Sequence, residues 1–148
     1  MGYTHYWRSA SDIPRDTWQA ISDDVRKLAK SFGERAEVEI GSEEVVIEGT
    51  HETFVLQRTA VEFDCCKTQL KPYDKLVAAT LAVATERFPA LSVSSDGFMQ
   101  DDKGAWDEAI SWASSTLGRD VPNPSGAKAE VSRWGGGGAQ NTGQGQSR

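Results

Sequence analysis

The chain has 148 residues, enough for one domain with a core of ordinary size and too few for two. Its 22 Asp and Glu outnumber 16 Lys and Arg, for a net charge of -6, and the acidic excess lies in the first 119 residues. A surface of that sign repels nucleic-acid backbones and anionic lipid, which argues against general nucleic-acid binding.

No run approaches the roughly 20 apolar residues of a membrane span, and the N-terminus lacks a basic segment followed by an apolar stretch. The expectation is a cytoplasmic protein without a membrane association. The two cysteines, Cys65 and Cys66, are adjacent. Their side chains diverge in a strand, so a bridge between them would be strained, in keeping with a reducing compartment.

In chain order, Gly2 to Arg8 reads as an aromatic-rich strand with Tyr3, His5 and Trp7 on one face. Ser9 to Asp12 offers capping side chains and Pro14 suits a first helical turn. Trp18, Ile21, Val25, Leu28 and Phe32 then recur at helical spacing up to Gly33. Glu37 to Ile40 and Glu44 to Glu48 alternate around a Gly41-Ser42 hairpin, and Glu52 to Arg58 turns Phe54 and Leu56 inward. The next strand runs from Ala60 to Cys66. Its alternation predicts Val61, Phe63 and Cys65 facing the core and Glu62, Asp64 and Cys66 facing away.

Pro72 disfavours helical geometry at Lys71 and opens a helix over Tyr73 to Phe88, apolar nearly all round and expected to be the most buried. Leu91 and Val93 form a short strand, Ser94-Ser95-Asp96-Gly97 a turn. Trp106, Ala109, Ile110, Ala113 and Leu117 make a third helix ending at Gly118. The order β-α-β-β-β-β-α-β-α predicts an α+β fold: a single, mostly antiparallel sheet of about five to six strands with three helices on one face. The folded part is expected over residues 1–119. Residues 120–148, rich in Gly, Gln and Ser, are expected to be a disordered tail in which Trp134 is the one candidate anchor.

The polar residues that carry chemistry gather around Cys66-Lys67-Thr68 and the Pro72 turn. Lys67, Thr68 and Lys71 form a basic, hydroxyl-bearing island beside a helix start, a cradle for phosphate or carboxylate, or else solvated lysines in a loop. Tyr6, Trp7 and Tyr73 are candidate flat surfaces for a ring, in competition with core packing. Ser94, Ser95 and Asp96 end a strand where ligand-binding turns occur, or else Asp96-Gly97 is a plain turn. Cys66 is a nucleophile only with a basic partner nearby, and an inert strand-end thiol otherwise.

His5 and His51 are the only histidines. The segment His51-Glu52-Thr53-Phe54 resembles the H-x-T-apolar motif of two-histidine phosphoesterases, in which one imidazole is the base and the other the acid. The second motif is absent: His5-Tyr6-Trp7 lacks a hydroxyl two residues on, although Thr4 precedes it. No His, Cys or carboxylate spacing points to a metal, and no signature points to a cofactor.

The run F-x-x-C-K-T-x-x-x-P-Y-D, from Phe63 to Asp74, resembles a family of small phage and bacterial proteins of unassigned activity. Gly2 to Trp7, His51 to Phe54 and Val93 to Gly97 match as well, so the likeness spans roughly residues 2–117. It departs at Cys65, where the family pattern has an aromatic, and in the tail. This resemblance implies a phage protein in a host cytoplasm, for which sequestering a signalling nucleotide as a counter-defence needs a pocket and no catalytic apparatus.

The leading expectation is a pocket where the first strand, the His51 segment and the Cys66 to Asp74 turn converge on a phosphorylated small molecule, a nucleotide. Its residues are Tyr6, Trp7, Thr53, Cys66, Lys67, Thr68, Lys71, Tyr73, Ser95 and Asp96. The alternatives are a nucleotide phosphoesterase using His5 and His51 as catalytic residues, and an interaction module that inhibits a host protein through its acidic surface or tail.

Overall fold

A computed structural model describes residues 3–98 and 103–125. The elements follow the expected order: β1 (Thr4–Ser9), α1 (Arg15–Phe32), β2 (Glu37–Ile40), β3 (Glu44–Glu48), β4 (Phe54–Gln57), β5 (Val61–Lys67), α2 (Asp74–Arg87), β6 (Leu91–Ser95) and α3 (Lys103–Leu117). A single 3₁₀ turn, Asp96–Phe98, joins β6 to the segment before α3.

The apolar spacing of α1 places Trp18, Ile21, Val25, Leu28 and Phe32 in the interior. Gly33 leaves the helix at φ 87°, a left-handed conformation that a side chain would strain, and its N–H closes the last turn on the Ala29 carbonyl at 3.0 Å. Helix α2 is buried from Leu76 to Ala84 without a break, which explains why it has almost no polar face. Trp106, Ala109 and Ala113 of α3 complete the same core.

The single sheet expected from the sequence is two. Strands β5, β1 and β6 form one antiparallel sheet with β1 in the middle, and β2, β3 and β4 form another with β3 in the middle. The division falls between β4 and β5, where the connecting residues are fastened to the turn between β1 and α1. There the Ala60 N–H donates to the Asp12 carboxylate at 2.9 Å, and the Arg58 guanidinium donates to the Ile13 carbonyl at 2.9 Å. Strand β5 consequently pairs with β1 and not with its predecessor. The two inner faces still share one core, Trp7 of β1 lying 5.1 Å from the Phe54 ring of β4.

Strand β5 also reverses the expected facing. Trp7 pairs with Asp64 and Ser9 with Val61, so Glu62 and Phe63 together oppose the single residue Arg8. This bulge shifts the alternation by one, and beyond it every side chain changes face. Cys66, expected to point away, is buried opposite His5, while Phe63, expected in the core, is 62% exposed and Cys65 is exposed beside it.

Val121, beyond the expected boundary at 119, is buried in the core, and its N–H donates to the Ser114 hydroxyl at 2.9 Å. Trp134 and most of the expected tail lie outside the described residues. Among the described residues no helix is long and apolar enough to cross a membrane.

Candidate functional site

The residues singled out from the sequence divide between a sealed interior network and an open sheet face. His5 projects inward from β1 and is fully buried. Its Nδ1 lies 2.8 Å from the Ser95 hydroxyl, and its Nε2 lies 2.6 Å from Asp74 Oδ1, which also accepts from the Thr68 hydroxyl at 2.5 Å. The Ser95 oxygen accepts two further hydrogens, from the Gly97 N–H at 3.0 Å and the Trp106 indole at 3.1 Å.

Those two donors fill the lone pairs of the Ser95 hydroxyl, so its own hydrogen goes to Nδ1 and the imidazole hydrogen sits on Nε2, donating to Asp74. Both ring nitrogens of His5, the hydroxyls of Ser95 and Thr68 and Oδ1 of Asp74 each have a partner in this chain. The order serine, histidine, aspartate resembles a nucleophilic triad, but the ring is packed edge-on against Tyr3 and Trp106 at 5.3 and 5.2 Å. With Ser95 and Thr68 buried as well, this is a rigid joint between β1, β6, the Pro72 turn and α2.

A second joint seals Cys66 and Tyr73. The Glu52 carbonyl accepts from the Tyr73 hydroxyl at 2.5 Å and from the Cys66 thiol at 3.5 Å, while its carboxylate accepts from the Lys67 N–H at 2.8 Å. Burial first, then the nearby Glu52 carboxylate, pushes the Cys66 thiol up to about 12, so it is a packing group at neutral pH. Burial likewise raises the Tyr73 phenol. Gly49 permits this arrangement, since a Cβ there would stand 2.2 Å from the Tyr73 ring.

The expected common pocket is therefore corrected. His5, Trp7, Cys66, Thr68, Tyr73 and Ser95 are lodged in the interior, whereas His51 and Thr53 are exposed at the start of β4. With both nitrogens of His5 engaged, the two imidazoles form no acid and base pair. Lys67 is half-buried at the end of β5, and Lys71 is exposed on the α2 side of the turn.

The open face belongs to the sheet of β5, β1 and β6. Tyr6 and Arg8 of β1, Phe63 and Cys65 of β5, and Ser92 and Ser94 of β6 alternate with the inward residues and point away from the helices. The Tyr6 and Phe63 rings lie side by side at 6.0 Å with their planes 32° apart. Asp96 holds the aromatic end in place: its carboxylate accepts from the Tyr6 hydroxyl at 3.2 Å and from the Thr4 N–H at 3.1 Å. Partial burial and the Asp96 carboxylate together raise the Tyr6 phenol, which stays protonated as the donor.

Tyr6, Arg8, Phe63, Ser92 and Ser94 line a hollow of about 300 Å³. A wider, open trough of about 830 Å³ adjoins it, sharing Arg8 and Ser92 and extending to Ala60, Glu62 and Ala90. The Arg8 guanidinium is exposed and has no hydrogen-bond or ion-pair partner among the described residues. Of these residues the sequence reading selected Tyr6 and, in the turn ending β6, Ser94; it missed Arg8, Phe63 and Ser92. Alternation along β1 was the available signal for Arg8; the bulge hid Phe63.

Among the described residues no group of three or more His, Cys, Asp or Glu is placed to hold a metal ion. Compared with known proteins, the chain matches no family model, no curated protein and no solved structure.

Proposed function

We propose that the protein binds a phosphorylated small molecule bearing a planar ring, a nucleotide, on the outer face of the β5-β1-β6 sheet, and holds it without turning it over. The observation that carries this reading is Phe63, a large aromatic 62% exposed and aligned with Tyr6 above a hollow of about 300 Å³. An exposed ring beside a half-buried one on a sheet is a stacking platform, and base stacking on such rings contributes about 1–3 kcal/mol per base. Arg8 supplies an unpaired planar cation for a phosphate in the adjoining trough, and the Ser92 and Ser94 hydroxyls supply donors along the same edge.

Among the described residues no histidine and no activated thiol lines this face: His5 is committed on the opposite side of β1, and partial burial, then the Asp64 carboxylate, raises the Cys65 thiol above its ordinary value. Binding without hydrolysis follows, the behaviour expected of a protein that sequesters its ligand. Incubating the protein with a nucleotide, removing the unbound ligand, denaturing the protein and analysing the supernatant tests both halves: the nucleotide returns intact from the wild type, and Phe63→Ser retains about tenfold less. Appearance of a hydrolysis product refutes the non-catalytic reading.

A second reading, a protein-interaction module, rests on the other sheet. Glu37, Glu39, Glu44 and Glu48 share its outer face around Val46 and Val55, and Glu37 stands directly opposite Glu48. Like charges in register destabilise a sheet unless a cation or basic partner relieves them, so this face suits a basic protein surface.

A further inference from the structure

We propose that the cleft between the Pro72 turn, the end of α1 and α3 is a second site, separate from the sheet face, for a small phosphate-type oxyanion: free phosphate or the terminal group of a phosphomonoester. The cleft encloses about 220 Å³ and draws its charged lining from three parts of the chain, with Arg35 following α1, Lys71 and Lys75 entering α2, and Glu108 on α3. That volume suits a compact anion and leaves no room for a whole nucleotide.

The three cations converge there on a protein of net charge -6, and two of them, Arg35 and Lys75, rest on aromatic rings, Arg35 also donating to the Phe32 carbonyl at 3.4 Å. The Arg35 guanidinium lies 4.3 Å from the Phe32 ring centre, and the Lys75 ammonium 5.1 Å from that of Trp112. Phe32 and Trp112 pack edge to face at 5.9 Å, so one aromatic pair fixes both cations. Lys71 has no side-chain partner among the described residues.

Two carboxylates border the cleft and offset part of this charge, leaving an excess of one cation: Asp74, whose Oδ1 is taken by His5 and Thr68, and Glu108, largely exposed, which reaches Lys75 at 3.9 Å. The amides that open α2 are not the binding groups: the Asp74 N–H is bonded to the Lys71 carbonyl at 2.8 Å, and the Leu76 N–H to that of Tyr73 at 3.0 Å. Recognition therefore falls to the side chains, with the Arg35 fork and two ammonium groups surrounding the anion.

The test is an NMR titration of the full-length protein with inorganic phosphate at constant ionic strength, chloride serving as the control and glycerol phosphate as the ester. Phosphate and the ester should both shift the amides of Arg35, Lys71 and Lys75 and the indole signal of Trp112. Arg35→Gln or Lys71→Gln should weaken the affinity about three- to fivefold, and the double variant about tenfold or more. Glu108→Gln, which removes a repelling carboxylate, should tighten it about twofold.

Arg8→Ala, at the sheet face, should leave these shifts in place, so the two sites fail or stand separately. Shifts reproduced by chloride, shifts that persist in the double variant, or an unchanged or weaker affinity in Glu108→Gln would each overturn the proposal.

Discussion

Replacing His5 by alanine separates a structural joint from a catalytic group. In the wild type the imidazole accepts from Ser95, donates to Asp74 and packs against Tyr3 and Trp106. Its removal strands the Asp74 carboxylate, 5% exposed, with only the Thr68 hydroxyl, and leaves the Ser95 hydrogen without an acceptor. Each buried polar group left unsatisfied costs about 1–3 kcal/mol, and the vacated ring volume adds a cavity penalty. The sum is about 3–5 kcal/mol, the range seen when one partner of a buried pair is deleted. For a domain of this size that lowers Tm by about 10 to 20 °C.

Urea denaturation followed by tryptophan fluorescence reads the loss, and a double-mutant cycle with Asp74→Asn isolates the pair. Coupling of about 1–3 kcal/mol is expected, because the second substitution removes the carboxylate that the first one strands. A His5→Ala protein within about 1 kcal/mol of wild type, or strictly additive single losses, refutes the joint.

Asp24, buried in α1, accepts from Arg87 at 2.6 Å and from Arg119 at 2.8 Å, tying α1 to the last residue of α2 and to the segment that follows α3. Burial would raise its carboxyl, but the hydrogen bonds of Arg119 and then Arg87 outweigh it and hold the group below the ordinary 3.8. Its stabilisation is thus fully present above that value and disappears as pH falls through the lowered one. Asp24→Asn should cost about 2–3 kcal/mol at pH 7, and the deficit should shrink below about pH 4 in acid-range denaturation curves. Gly49→Ala should lose about 1–3 kcal/mol in the same assay, since the added methyl meets a Tyr73 ring pinned by its hydroxyl. In thiol labelling of the native protein, Cys65 should react slowly and Cys66 only on unfolding; modification of both at equal rates contradicts the placement of β5.

Much of the fold was legible because local pattern decides it. The 3-4 spacing from Trp18 to Phe32 and the nearly all-apolar run from Leu76 to Ala84 specify two helices and their burial, and the alternations of Val38, Ile40, Val45 and Ile47 specify a hairpin. What escaped depends on pairing between distant segments. Assignment of β5 to β1 is decided by Asp12 and Ile13, nearly fifty residues upstream of the turn they capture. The bulge at Glu62 and Phe63 exists only relative to Arg8. His5 read as a reactive imidazole because Asp74 and Ser95, which satisfy it, lie 69 and 90 residues away. Of the ring surfaces considered, Tyr6 is on the open face, whereas Trp7 and Tyr73 are core.

The central claim, ligand binding on the outer face of the β5-β1-β6 sheet, is tested most directly by equilibrium dialysis of a nucleotide panel against wild type, Phe63→Ser and Arg8→Gln. Both positions are exposed, so the variants should fold as the wild type does, verified by unchanged Tm. The account predicts that at least one nucleotide is retained by the wild type, that Phe63→Ser weakens it about tenfold or more, and that Arg8→Gln weakens the phosphorylated form far more than the corresponding nucleoside. Retention of the nucleotide at wild-type affinity by both folded variants, or no retention of any nucleotide by the wild type, would contradict it.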